Sequence, residues 1–175
     1  LPVEQYFHAG EYWCPRMVDI KPDGDGLCFV LLPPFDIPEL PPGLIDAPPD
    51  VMVEVCPAAL DIAEDITRRI TEHGGAALFI DYGHSESAPG ETLQAVKSHK
   101  YHDPLVAPGE ADLTAHVDFG AMAQRVFAAG GRAVGPVTQA HFLGMLGIAE
   151  RAQMLRENAS PEQADEIERA LLRLT

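Results

Sequence analysis

A stretch of eighteen residues, PPFDIPELPPGLIDAPPD at 33–50, contains seven prolines. Proline fixes the backbone φ angle and has no N–H to donate, so this stretch predicts a semi-rigid loop with no helix or strand inside it. The loop separates two patterns of sequence. We predict that residues 1–50 hold a β-meander insertion and this proline-rich loop, and that residues 51–175 hold an α/β arrangement with helices at its C-terminal end.

The region before the loop alternates apolar and polar residues in VEQYFHA, EYWCPRMVDI and LCFVLL, and the turn sequence KPDGDG interrupts it. Alternation with a period of two indicates strands that bury one face. The pattern therefore predicts an antiparallel meander of about three strands. Because Pro15 cannot donate to a strand ladder, we expect the middle strand to be bulged there or to lie at a sheet edge.

The region after the loop alternates strand and helix patterns. VMVEV predicts a short buried strand, and PAALDIAEDITRRITEH predicts a helix that begins at Pro57 and ends before Gly74. AALFI has no charged residue and is short, which is typical of a strand covered on both faces in a parallel sheet. Further patterns predict a helix capped by Asp118, another short strand in RAVGPV, and helices to the end of the chain, the last from the capping box at Ser160.

The formal net charge of −15 comes with only twelve scattered lysines and arginines. Without a basic cluster to neutralise phosphates, the sequence argues against a nucleic-acid partner and is compatible with a basic one. It contains no run of eighteen apolar residues, so it predicts no membrane span. Because the chain starts at a leucine and passes directly into a strand pattern, we expect it to be part of a longer protein.

Ligands of open parallel sheets bind beyond the C-terminal ends of the strands. Asp81, Tyr82, Gly83 and His84 directly follow AALFI. The polar stretch HKYHDPLVAPGEADLTAHVDF at 99–119 comes later and, with two prolines and a glycine, is predicted to be a loop. We therefore predict that both groups of residues lie on one rim of the sheet.

Three interpretations of this polar stretch remain open. A metal site would use side chains such as His99, His102 and His116, but the His-x-x-His spacing is short for one helical face and no thiolate is near, so we predict no metal. A structural role is indicated for Asp118 as a helix N-cap. A catalytic role would have Asp81, with Asp112 or His116, hold or deprotonate a nucleophile.

Four runs of the sequence, VEVCP, GGAALFIDYGH, HKYHDPLVAPGEADLTAHVDF and GPVTQAHFLGMLGI, resemble the C-terminal half of MidA-like S-adenosylmethionine-dependent methyltransferases. Mitochondrial members of that family are complex I assembly arginine methyltransferases. The resemblance implies the C-terminal half of a class I, Rossmann-like methyltransferase sheet with the meander as an insertion. The G-x-G-x-G cofactor turn of the family is absent, so most of the S-adenosylmethionine pocket is expected upstream of residue 1.

What the resemblance implies about function is methyl transfer from S-adenosylmethionine to an arginine of a basic protein or peptide, in a bacterial cytoplasm or the mitochondrial matrix. A homodimer is an alternative to a monomer. Alternative functions are a non-catalytic assembly module of the same fold and a metal-dependent hydrolase. The candidate catalytic residues are Asp81, Asp112 and His116; the candidate substrate-binding residues are Glu54, Tyr82, Gly83, His84, His99, Thr114 and Asp118; and the candidate cofactor-binding residues, by resemblance to the end of a family motif, are Leu1 and Pro2.

Overall fold

The structure is a computed structural model and describes residues 2–34 and 40–175. It divides into two compact units, Leu1–Ala133 and Val134–Thr175. The first unit begins with four strands, β1 (Glu4–His8), β2 (Trp13–Ile20), β3 (Leu27–Leu31) and β4 (Met52–Val55). They form one antiparallel sheet in the order β3-β2-β1-β4. The alternating sequence before the proline-rich loop thus forms three neighbouring strands.

The core of this sheet is a cluster formed by one of its faces and the residues that cover it. Tyr6 of β1 and the two valines of β4 pack with Leu40 and Leu44, and Trp13 packs against the cluster. Leu44 lies on a short helix, α1 (Pro42–Ile45), inside the stretch that we predicted to contain no element. That prediction was wrong because proline is compatible with the first turn of a helix, where its missing N–H costs no hydrogen bond.

Strand β2 is neither bulged at Pro15 nor at an edge of the sheet, which corrects our expectation. Pro15 lies opposite Tyr6 in an uninterrupted register with β1. On the other side, the β2–β3 register begins one residue later, at Arg16 opposite Leu31. The carbonyl of Pro15 still accepts a hydrogen bond from the Leu32 N–H at 2.9 Å. Pro15 thus lies opposite Leu32, just beyond the end of β3, where the β2–β3 ladder does not require an N–H donor.

Strand β4 links residues 1–50 and 51–175, the two segments that we predicted, through strand pairing. It belongs to residues 51–175, yet it pairs with β1, for example Glu54 with Gln5. The proline-rich stretch thus connects β3 and β4, which lie at opposite edges of one sheet. The division at residue 50 stays a prediction about the family, and the structure itself divides after Ala133.

Helix α2 (Pro57–His73) has the predicted bounds, with proline in its first turn and Gly74 as its C-cap at a φ of 77°. The AALFI segment after it does not form the predicted buried strand. Its residues are exposed, 66% for Leu78 and 73% for Ile80. A parallel strand makes its hydrogen bonds to neighbouring strands. No described residue provides such a neighbour for 76–80.

The polar stretch, which we predicted to be a loop, lies in two small sheets. The strands are β5 (Gly83–His84), β6 (Gln94–Lys97), β7 (Lys100–His102), β8 (Asp112–Thr114) and β9 (Val117–Asp118). Strands β7, β6 and β8 form an antiparallel sheet, and β5 pairs with β9 in parallel. Ser98 and His99 connect β6 to β7 with φ angles of 52° and 61°. Two central residues with positive φ are typical of a tight hairpin turn.

Helix α3 (Phe119–Ala128) follows β9 directly, and Asp118 is its N-cap as predicted. The RAVGPV segment at 132–137 does not form the predicted strand. Val134 is 84% exposed. As with AALFI, the described residues contain no strand that pairs with it.

The second unit consists of three helices, α4 (Gln139–Met145), α5 (Ile148–Arg156) and α6 (Pro161–Leu174). Its last helix begins with the predicted capping box, in which the Ser160 hydroxyl and the Gln163 side chain each bond to the other residue's backbone N–H. Among the helices of the described ranges, none is both long and apolar enough to cross a membrane.

Candidate functional site

The parallel pairing of β5 with β9 brings three predicted site residues together. Gly83 lies opposite Val117, and His84 lies opposite Asp118. The Val117 N–H also donates to the Tyr82 carbonyl at 2.8 Å. The residues after AALFI and the end of the polar stretch therefore meet, although AALFI itself has no ladder.

Gly83 is required by this close approach. A Cβ atom at Gly83 would lie 2.2 Å from the carbonyl oxygen of Val117 and 2.8 Å from the ring of Phe119. Neither the backbone nor a packed aromatic ring can yield that much space, since any larger side chain would separate the two strands. The absence of a side chain at Gly83 thus allows β5 and β9 to lie side by side.

Asp118 is the most connected carboxylate of this junction. Its Oδ1 accepts from the Ala121 N–H at 2.8 Å, which caps α3, and its Oδ2 accepts from the Ser87 hydroxyl at 2.6 Å. The His84 Nδ1 donates to the Glu86 carbonyl at 2.7 Å and lies 3.9 Å from Asp118 Oδ1. Ser87 was not predicted, because its contact spans 31 residues and no local motif indicates it.

Glu54 anchors a second part of the site, on β4. Its Oε1 accepts from the Gln5 side chain at 2.8 Å and from the Leu93 N–H at 3.0 Å. Its Oε2 accepts from both the N–H and the hydroxyl of Thr92, at 2.9 and 2.5 Å. A carboxylate offers about four acceptor positions, and these four bonds use them. The structure thus gives Glu54 an anchoring role, and a substrate contact by Glu54 stays a prediction.

Thr92, which was not predicted, links Glu54 to His116. The hydroxyl of Thr92 donates to Glu54 and accepts from the His116 N–H at 2.8 Å. His116 directly precedes β9, so the sheet of β1–β4 is connected through one threonine to the junction of β5 and β9. The signal in the sequence was weak, because a single threonine in a loop is common and its partners are 24 and 38 residues away.

The other predicted residues are exposed and lie in different elements. Asp81 Oδ1 accepts from the Tyr82 N–H at 2.8 Å, and the Tyr82 side chain is 83% exposed. Asp112 and Thr114 lie on β8, and His99 lies in the β6–β7 turn. Within the described ranges, no hydrogen bond or ion pair joins Asp81 to Asp112, so their common cleft stays a prediction.

The cofactor and metal predictions have little structural counterpart in this chain. Leu1 lies outside the described residues, and Pro2 is exposed, with its carbonyl accepting from the Cys56 thiol at 3.0 Å. Pro2 and Cys56 offer neither a glycine turn nor an acidic side chain for S-adenosylmethionine. In the part of the chain that the structure describes, no three histidine, cysteine or carboxylate side chains are grouped to hold a metal ion.

Residues 1–137 match the model of a family described as putative S-adenosyl-L-methionine-dependent methyltransferases. The chain belongs to this family. The match includes the junction of β5 and β9, the β6–β8 sheet and the Glu54 anchor. The resemblance drawn from VEVCP, GGAALFIDYGH and the polar stretch is therefore confirmed at the level of the family.

Curated relatives are similar to most of this chain. The mitochondrial protein arginine methyltransferase NDUFAF7 of Xenopus tropicalis is 39% identical over 161 residues, which cover 91% of this chain and 37% of the relative. The human protein of the same name is 39% identical over 163 residues, covering 91% and 36%. The Caenorhabditis elegans homologue is 37% identical over 160 residues, covering 89% and 37%. The chain thus spans little more than a third of the length of these relatives.

A crystal structure from Burkholderia thailandensis, of a likely methyl transferase bound to S-adenosyl-homocysteine, has a similar fold. The TM-score is 0.79 at 29% sequence identity, and the match covers 99% of this chain and 46% of that one. The fold of this chain is therefore an α/β fold of the methyltransferase type.

Proposed function

We propose that this chain supplies the substrate-binding side of an S-adenosylmethionine-dependent protein arginine methyltransferase. The observation that carries the proposal is the junction of β5 and β9, within the residues that match the family, where Gly83, His84 and Asp118 meet. Three kinds of support agree: relatives named as protein arginine methyltransferases, a similar structure with bound S-adenosyl-homocysteine, and the family itself.

The proposal includes the finer architecture. In the longer protein, the exposed segments 76–80 and 132–137 become strands of a class I methyltransferase sheet, and their neighbours come from the part of the relatives that this chain does not match. The antiparallel strands before residue 50 are an insertion in that sheet. The same unmatched part holds most of the cofactor pocket, which agrees with the poor fit of Pro2 and its surroundings to S-adenosylmethionine.

The chemistry assigned to this chain is orientation of a guanidinium group. Asp81 and Asp112 are exposed carboxylates, and a carboxylate can hold a guanidinium through two parallel hydrogen bonds. Methyl transfer depends on alignment of the nucleophile more than on strong base chemistry, so holding the group in one orientation is the main requirement. Glu54 and Thr92 contribute by fixing the backbone on both sides, at Leu93 and at His116.

The partner in this proposal is a basic protein or peptide, which suits a chain of net charge −15. A role in complex I assembly and a place in the mitochondrial matrix rest on the family resemblance, and relatives named as mitochondrial agree with the second. A bacterial cytoplasm is the alternative location, and the similar Burkholderia structure shows that bacteria have such a protein. The homodimer stays a prediction, which analytical ultracentrifugation of the purified chain would test.

The test is a chimera in which the N-terminal region of the Burkholderia protein precedes this chain. We expect calorimetry to detect S-adenosylmethionine binding by the chimera and weak or no binding by the chain alone. With labelled cofactor and an arginine-containing basic peptide, mass spectrometry should locate the label on arginine. Variants Asp81→Ala and Asp112→Ala of the chimera should raise KM or lower kcat. Tight cofactor binding by the chain alone would contradict the division of the pocket, and label on lysine would contradict the substrate.

One alternative has a specific observation in its favour. Since the sequence lacks the G-x-G-x-G turn of the family, the chain also fits a non-catalytic module that binds a partner protein. The same chimera separates the two functions, because a module of this kind would bind the basic peptide without any transfer of label. Metal-dependent hydrolysis has no supporting group of ligands among the described residues.

A further inference from the structure

Strand β3 lies at one edge of the four-stranded sheet, and no residue of 2–34 or 40–175 pairs with its outer side. The Leu32 N–H donates to Pro15 on β2, which fixes the direction of each backbone group along the strand because the direction alternates from residue to residue. Every second residue of β3 therefore directs its N–H and C=O away from the sheet. These residues are Leu27, Phe29 and Leu31.

The opposite edge of the same sheet is covered. On β4 the Met52 carbonyl accepts from the Gly90 N–H at 2.8 Å, and the Glu54 carboxylate accepts from the N–H groups of Thr92 and Leu93. Natural edge strands are usually protected by charge, proline, a bulge or a covering segment. The sequence of β3, LCFVL, contains no charge and no proline, and its register with β2 is regular. This edge has the properties of a site for strand addition.

A groove of about 570 Å³ runs beside β3. Strand β3 is half-buried although the inner strand β2 is exposed, 52% at Val18 and 64% at Ile20, and residues of the loop after β7 line a groove together with β3. The groove lies between that loop and the strand. Its lining is apolar along the strand and also carries two carboxylates and one ammonium group: residues 27–29 and 105–108, Asp25 and Asp103, and Lys21.

We propose that this groove binds an extended segment of a partner polypeptide, which adds to β3 as a fifth strand. Main-chain hydrogen bonds to Leu27, Phe29 and Leu31 give affinity, and apolar side chains of the partner pack on the uncharged strand. A basic side chain of the partner lies near Asp25 and Asp103. A second copy of this chain fits less well, because it carries a net charge of −15 itself. The proposal does not depend on methyl transfer.

The test uses an acetylated and amidated peptide of alternating threonine and valine that ends in arginine. We expect saturable binding to the chain in fluorescence anisotropy with a labelled peptide. Two matched peptides carry N-methyl groups on alternate amides, in the two possible patterns. Each keeps its side chains and loses the N–H donors of one edge only. The affinities of the two peptides should therefore differ by tenfold or more. Replacing the arginine by glutamine should weaken binding, and Asp25→Asn with Asp103→Asn should remove that preference.

Two variants at one position provide the control on the protein side. Leu31→Pro removes an outward N–H and leaves the bonds of β3 to β2 in place, which an edge strand tolerates. Leu31→Ala removes the side chain and keeps the N–H. We expect binding to fall tenfold or more for Leu31→Pro and much less for Leu31→Ala, with unchanged circular dichroism.

Equal affinity for both N-methylated peptides, no binding of the unmodified peptide, or equal effects of the two Leu31 variants would overturn the proposal. Sedimentation gives a further outcome: a dimer that Leu31→Pro dissociates would mean that a second copy occupies the edge, which also overturns it.

Discussion

Two five-residue apolar segments of this chain, VMVEV at 51–55 and AALFI at 76–80, have opposite environments. The first forms β4, where Val53 is 0% exposed, and the second forms no strand and leaves Ile80 73% exposed. Their sequences alone would not separate them. What differs is the partner: β1 offers hydrogen bonds to the first, and Leu40 and Leu44 cover it, whereas the described residues offer neither to the second.

Helix α2 lies between these two segments and shows the other side of the comparison. Its backbone hydrogen bonds lie within the helix, so proline at the start and glycine at the end determine its bounds. A strand has no such independence, because its hydrogen bonds belong to the sheet. Local pattern is thus sufficient for α2 and insufficient for AALFI.

The largest expected effect tests this comparison with one substitution in each region. Leu44→Ala removes a side chain that is 1% exposed and should lower the free energy of unfolding by about 2–5 kcal/mol. Leu78→Ala, the matched control, removes one that is 66% exposed and should change it by less than about 0.5 kcal/mol. Urea unfolding measures both. A large loss for Leu78→Ala would mean that AALFI is packed in solution.

The next prediction concerns the short pairing that follows AALFI. Gly83→Ala places a methyl group against the Val117 carbonyl and should cost about 1–3 kcal/mol. Gly90→Ala is the control, because a Cβ there meets nothing within 4 Å. Thermal unfolding compares them, and amide hydrogen exchange at Val117 reports the pairing itself. Equal stability of the two variants would show that β5 and β9 are not in contact.

A smaller effect is expected at the N-cap of α3. Asp118→Ala removes the acceptor for Ala121 and Ser87 and should cost about 1 kcal/mol. Asp112→Ala, on an exposed position of β8, should cost clearly less. The same unfolding measurements apply, and restored stability in Asp118→Asn would support capping as the cause. A larger loss of stability for Asp112→Ala than for Asp118→Ala would contradict the capping role of Asp118.

The smallest effect is a dependence of stability on pH, and it concerns Tyr6 in the core of the four-stranded sheet. Burial raises the pKa of Tyr6 above its ordinary value, and the hydrogen bond to Glu4 adds to this. The folded state therefore keeps a proton that the unfolded state loses above about pH 10, so stability should fall as pH rises from there. Tyr6→Phe should lack this component, which amounts to about 1 kcal/mol between about pH 10 and 11. Parallel alkaline unfolding curves for both proteins would contradict it.

The sequence predicted those parts of the fold whose signals are local. Helix α2, the N-cap at Asp118 and the capping box at Ser160 depend on neighbours within a few residues, and all three are confirmed. The polar stretch was predicted as a loop because its strands are only two or three residues long. Such strands are shorter than any pattern of alternation can indicate.

The candidate site was predictable to the extent that chain order determined it. Gly83 and His84 were expected near the end of the polar stretch, and they do pair with Val117 and Asp118. Thr92 and Ser87 were missed because they act through long-range hydrogen bonds, for which the sequence has no periodic signal. The family followed from long runs of sequence, which carry more information than any single side chain.

The pairing of β1 with β4 has a consequence for synthesis of the protein. The partner of Gln5 is Glu54, whereas β1, β2 and β3 follow one another by short turns. Translation proceeds at about 5–20 residues per second, so β1 waits roughly 2–10 seconds for β4 to be made. During this interval the free side of β1 is an unpaired strand edge on a growing chain. A chaperone that recognises extended apolar segments would therefore find a transient binding site at residues 4–8.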